Sequence, residues 1–152
     1  MKFEDNLLGH YTNKRQAQSY PTDWAYIHVL FEKLPNGKIE SWSWHDYLGK
    51  KQAYRRSIHK LIYEDDHVIL RTFNRESEVK YCDLIFRYND GWWESDISRC
   101  EIPEKNISLE TYIKFNGTEY FSRDAAYSIE TNEFLWGKKK EQGEFHFFKH
   151  DK

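Results

Sequence analysis

The chain has 152 residues, with 23 basic and 25 acidic side chains and a formal net charge of -2. This is the length of one domain with a substantial core, and the charge gives no bulk electrostatic reason to bind nucleic acid. The opening Met1-Lys2-Phe3-Glu4-Asp5-Asn6 lacks the apolar run of a signal peptide, and no stretch approaches the ~20 apolar residues of a membrane span, so the expectation is a single cytoplasmic domain over 1–152 with no membrane or nucleic-acid partner.

Residues 4–18 form the one good helix candidate. Asp5 or Asn6 can cap it, and Leu7, Leu8, Tyr11 and Arg15 fall at roughly helical spacing, while Gly9 and Thr12 weaken it and Pro21 ends it. Strands follow. Residues 26–34 alternate, turn at Pro35-Asn36-Gly37-Lys38, where Asn-Gly tolerates positive φ, and return over 39–47. Further strands are predicted at 55–63, 67–73, 79–88, 92–97, 108–115, 118–122, 125–129, 134–138 and 144–149. The aromatic content of 18% suits them, because Trp, Tyr and Phe fit a half-buried pleated surface. Turns at regular spacing argue an antiparallel meander, and so many strands in one small domain leave long open edges unless the sheet closes. The predicted fold is all-β, an antiparallel barrel of about ten strands. A short N-terminal helix covers one end, and the interior has room for a ligand.

Candidate chemistry concentrates in Ser41-Trp42-Ser43-Trp44-His45-Asp46-Tyr47 and, soon after, Ala53-Tyr54-Arg55-Arg56-Ser57-Ile58. Trp42 and Trp44 alternate with small residues, as on a strand with one aromatic face. Tyr54 and Arg55 are neighbours, so both reach an interior only where a strand begins or kinks. A flat conjugated ligand with acidic groups suits this mixture, with π faces for its body and a guanidinium for its carboxylates. An ordinary aromatic core beside a surface arginine is the plainer alternative. Two cysteines are too few for a disulfide framework or a metal cluster, and there is no His-x-Cys spacing, glycine-rich phosphate loop or Ser-His-Asp pattern.

In chain order, Asn13-Lys14-Arg15-Gln16-Ala17, Pro21, Ile27-His28-Val29, Tyr54-Arg55, Cys82, Cys100, Asp124, Trp136-Gly137 and the closing Phe145 to Phe147 resemble the T-type phycobiliprotein lyases. The resemblance spans nearly the whole chain. It implies a lipocalin-like, calycin-like barrel that forms a homodimer. It implies as bound substrate a phycobilin, phycoerythrobilin or phycocyanobilin, with no metal, and delivery of that bilin to one cysteine of a phycobiliprotein β-subunit. The departures are specific. Ser57 stands at the second arginine of the family's Pro-Tyr-Arg-x-Arg, and Trp44-His45 occupy the place of its Glu-Gln. Ala125-Ala126-Tyr127-Ser128 follow Asp124 where the family has Arg-Gly-x-Asp, and Tyr81 replaces the glycine before the cysteine.

By this resemblance Tyr54, Arg55 and Asp124 are the candidate catalytic residues, and Trp136, Trp44 and His28 join them as candidate bilin-binding residues. Asp124 would accept hydrogen bonds from the pyrrole N–H groups and stabilise a protonated bilin. Arg55 would pair with a propionate, with Arg56 as a second candidate. Tyr54 offers a ring and a hydroxyl, and Trp136 a pocket wall. Read locally, Asp124 is a turn residue and His28 a satisfied core histidine. The reaction is addition of the acceptor's thiolate to the bilin's ethylidene carbon. That requires a polarised, conformationally fixed bilin and an open path, not a nucleophile on the lyase. Cys82 is expected to be structural rather than to form a covalent adduct. Two functions are open: a lyase that transfers the bilin, and a bilin carrier or chaperone of the same fold, to which the lost Arg and Asp positions point. A calycin-like binder of another hydrophobic ligand is a third.

Overall fold

The computed structural model describes residues 2–150. Where one helix is predicted over 4–18, two short helices flank a strand: α1 (Lys2–Leu7), β1 (Gly9–Thr12) and α2 (Lys14–Ser19). Gly9 takes φ of 137°, which stops the first helix, and β1 then pairs with a strand on each side. Those ladders, and full burial of Tyr11, outweigh the marginal helical preference of so short a segment. The Tyr11 hydroxyl donates to the carbonyls of Asn6 and Leu7 at 2.8 and 2.9 Å, satisfying groups that the end of α1 leaves open.

Eleven more strands follow: β2 (Ile27–Lys33), β3 (Ile39–His45), β4 (Arg55–Tyr63), β5 (Val68–Asn74), β6 (Leu84–Asn89), β7 (Trp92–Ser95), β8 (Ser98–Ile102), β9 (Ile107–Phe115), β10 (Glu119–Ser128), β11 (Phe134–Gly137) and β12 (Phe145–Lys149). Neighbours are antiparallel, and pairing of β9 with β10 closes the ring. The twelve strands fill ten places. β7 and β8 share one edge of β9, and β12 and β11 share one edge of β10. The fold is thus the closed all-β barrel that the alternation predicts.

Three local differences matter. The segment before Leu84 is irregular rather than strand, and β8, with alternating polar residues, was not predicted at all. The predicted strands at 118–122 and 125–129 are one, because Arg123 and Asp124 are not a turn but lie opposite Tyr112 and Thr111 in the β9–β10 ladder.

One end of the barrel is plugged. Phe3 of α1 is fully buried, with the rings of Phe86, Trp93 and Phe115 each 5.1 Å away in edge-to-face geometry. Such pairs contribute roughly 0.5–1.5 kcal/mol each beyond area burial. Asn13 and Gln16 are staples. Asn13 bonds the Ile27 amide and the Ala25 carbonyl, each at 2.8 Å, and Gln16 bonds the Glu144 carbonyl and the His146 amide, each at 3.0 Å. Cys82 and Cys100 form a disulfide that ties the irregular segment before β6 to β8. Neither cysteine is free, so neither offers a thiolate.

Candidate ligand-binding site

The barrel encloses a cavity of about 460 Å³ that runs from Leu7 at the α1 end to Tyr54, Lys105 and Trp136 at the other. The volume falls in the roughly 300–1,000 Å³ range of small-molecule sites. Val29, Phe31, Ile107, Leu109 and Ile113 supply much of its apolar lining, as strand alternation dictates.

Four of the residues singled out in the sequence meet at this cavity: Tyr54, Arg55, Asp124 and Trp136. Arg55 opens β4, and Tyr54 precedes the strand, its amide bonded to the Ser43 carbonyl at 3.0 Å. That position at a strand's start lets adjacent residues both reach the interior. Arg55 Nη1 donates to Asp124 Oδ2 at 3.1 Å, and Thr111 Oγ1 donates to Asp124 Oδ1 at 2.9 Å. Each carboxylate oxygen therefore has one donor and spare lone pairs, while most of the guanidinium's five N–H groups are uncommitted to Asp124. Burial alone would lower the Arg55 pKa, but Asp124 reverses that and raises it, so the cation is secure. Burial, partly opposed by Arg55, raises the Tyr54 phenol above its ordinary value and keeps it a donor. Trp136 is exposed at the mouth, at 45%. Gly137 follows it at φ of 103°, and a Cβ there would lie 2.2 Å from the Asp124 carbonyl oxygen. Only glycine lets β11 approach β10 so closely.

The other two candidates are elsewhere. His28 and Trp44 face outward from β2 and β3, opposite the cavity-lining Ile27, Val29, Ser41 and Ser43. Their rings stack at 5.0 Å and 3° on the barrel's outer surface. His28 also bridges Asp46 Oδ1 and His10 Nε2, each at 2.8 Å. Arg56 is likewise external, paired with Glu40 at 2.8 Å and lying 3.8 Å over the Trp42 ring. Cys82 lines the cavity, but as half of the disulfide. Among the described residues, no group of three or more His, Cys, Asp or Glu side chains is arranged to hold a metal ion.

Sequence reasoning missed Thr111 and a polar wall made by Ser41, Ser57, His59 and Thr72. His59 is buried, with Nε2 2.7 Å from Ser41 Oγ and Nδ1 2.8 Å from Thr72 Oγ1. Burial pushes its pKa down to about 4, so the ring is neutral at physiological pH. The available signal was a hydroxyl residue within an otherwise apolar alternating row, as Thr111 stands among Ile107, Leu109 and Ile113.

No protein-family model matches the chain. It is 22% identical to the chromophore lyase CpcT/CpeT of Thermosynechococcus vestitus over 93% of this chain and 87% of that protein. Against the probable phycoerythrobilin lyase CpeT of Microchaete diplosiphon the identity is 24%, over 86% of this chain and 79% of that protein. The solved T-type phycobiliprotein lyase CpeT from Prochlorococcus phage P-HM1 superposes with a TM-score of 0.74 and 27% identity, covering 99% of this chain and 96% of that one. The CRL protein of Arabidopsis, at 13% identity and a TM-score of 0.75 over 97% and 95% of the two chains, shares the fold. The common barrel and the matches along almost its full length make this chain a distant relative of the T-type phycobiliprotein lyases.

Proposed function

We propose that this chain is a T-type lyase that binds a phycobilin, phycoerythrobilin or phycocyanobilin, in the barrel cavity and presents it to a cysteine of a phycobiliprotein β-subunit. The observation that carries this reading is the Arg55–Asp124–Thr111 constellation on the cavity wall. Asp124 keeps lone pairs for pyrrole N–H groups, and Arg55 keeps donors for a propionate. Tyr54 and Trp136 flank them with aromatic surface where the cavity opens. The carboxylate stabilises the protonated bilin, whose ethylidene carbon is the more electrophilic. The acceptor's thiolate adds to that carbon, and the lyase needs no nucleophile of its own. A homodimer belongs to the same proposal, and light scattering across micromolar concentrations tests it.

The test is to mix the protein with each bilin, record visible spectra, then add the apo-β-subunit. Asp124→Asn should bind with a blue-shifted band and lose transfer more than affinity. Arg55→Ala should lose roughly 1–3 kcal/mol of binding, the scale of a charged hydrogen bond. Spectra and affinities matching wild type in both variants would remove the constellation from the site. The second reading is a bilin carrier without transfer. Its support is that Asp124 alone survives from the family's Asp-Arg-Gly-x-Asp, with buried Ala125 and Ala126 following it. Tight binding by wild type with no delivery to any β-subunit would select it.

A further inference from the structure

The polar wall is distinct from the Arg55–Asp124 pair and has no role in the chemistry described above. Ser57 lies two residues beyond Arg55 on the inward face of β4, and His59 four residues beyond, roughly 7 and 13 Å along the strand. The register sets Ser57 between Ser41 and Asn74, and His59 opposite Thr72. Ser57 is 2% exposed, and its hydroxyl has no hydrogen-bond partner among the described residues. A hydroxyl that opens onto a cavity with no protein partner is free to bond a ligand there.

His59 decides what kind of partner. A neutral imidazole has one donor and one acceptor nitrogen, and each faces a hydroxyl. In either tautomer one of Ser41 and Thr72 accepts from the ring and keeps its own O–H free. The other donates to the ring and keeps its lone pairs. The wall thus presents donor and acceptor capacity side by side, with no cation in it. Ser57 places a hydroxyl rather than a charge on this wall. A carboxylate placed here would be desolvated without compensation, and an alkyl chain would leave the hydroxyls unpaired. A lactam, with N–H beside C=O, satisfies both demands.

We propose that Ser57, Ser41, His59 and Thr72 form an uncharged second subsite that hydrogen-bonds a terminal lactam of the bilin, deeper in the barrel than the Arg55–Asp124 anchor. This rests on the bilin-binding reading above. Selectivity follows: the subsite should discriminate between tetrapyrroles that differ only at the terminal ring's amide.

The experiment titrates the protein with phycocyanobilin and with its lactim methyl ether, in which the terminal amides are O-methylated, following visible absorption. Wild type should prefer the lactam form by about fivefold or more, as expected for loss of at least one hydrogen bond. Ser57→Ala and Thr72→Val should each bring that preference below about twofold, with the Arg55→Ala effect on affinity retained. Should Thr72→Val fail to fold, Ser57→Ala, which removes one oxygen, decides alone. An unchanged preference in the folded variants, or equal affinity of wild type for both compounds, overturns the subsite while leaving bilin binding intact. Wild type that binds neither compound overturns the functional reading and the subsite together.

Discussion

His59 makes a quantitative claim about acid stability. Its imidazole is enclosed in the barrel, and burial pushes its pKa from 6.5 down to about 4. Between those values the unfolded chain binds a proton that the native state refuses. Stability from this source is therefore fully present above pH ~6.5 and is lost progressively as pH falls toward about 4. The gap of about 2.5 units, at ~1.36 kcal/mol per unit, amounts to roughly 3 kcal/mol. Other groups titrate at acid pH too. Asp83 and Asp66 are held below the usual carboxylate range chiefly by hydrogen bonds from Arg71 and His67, and His10 is lowered to about 4 by burial and then by His28. A direct comparison with His59→Gln cancels them. Urea unfolding of both proteins at pH 7 and pH 4, read by tryptophan fluorescence, should show wild type losing about 3 kcal/mol more than the variant. Equal losses would mean that His59 is solvated or protonated in the native barrel, and the argument for a neutral wall would fall with it.

Reduction, or Cys82→Ser with Cys100→Ser, should cost about 3 kcal/mol for a bridge of sequence separation 18, read as a lower Tm with dithiothreitol than without. Arg123, buried on the outer face and paired with Glu110 at 2.8 Å, should on change to methionine destabilise the fold by about 3–5 kcal/mol, because Glu110 is left without its partner. The double change with Glu110→Met should recover most of that loss in a denaturation midpoint. Gly137→Ala should lower stability by more than ~1 kcal/mol and weaken bilin binding in the same protein, since the new Cβ displaces the backbone that carries Asp124.

The strands were legible because alternation of period two is a direct record of which residues meet the core, and closure followed from the shortage of tolerable edges. The site was legible only in part. Arg55 and Tyr54 announced themselves by sitting together at the start of a strand. Asp124, read locally, is an acidic residue between two strands, and only the unbroken ladder with β9 sets it against Thr111. Alternation puts Trp42 and Trp44 on one face of β3 but does not say which, and the candidate Trp44 lies on the outer one. A face of tryptophans points inward when the other face meets water, but here the outer face is also covered. His10 and His28 stack on Trp44, and Lys50 and Arg56 lie over Trp42. With both faces occupied, hydrophobicity no longer chooses between them, and Ser41 and Ser43 take the interior. His59 and Thr72 were invisible for another reason. Their meaning lies in register across two strands, which a linear reading does not hold.

Trp136 has a spectroscopic consequence. Five of the six tryptophans are buried or half-buried and none of those five lines the cavity, whereas Trp136 is the exposed one and stands at its mouth. The long-wavelength edge of the protein's indole emission therefore originates chiefly from one water-bathed ring. A ligand that seats against that ring strips its water, so the red edge should vanish before the remainder of the band dims. The barrel carries a built-in indicator of occupancy, readable without label or mutation.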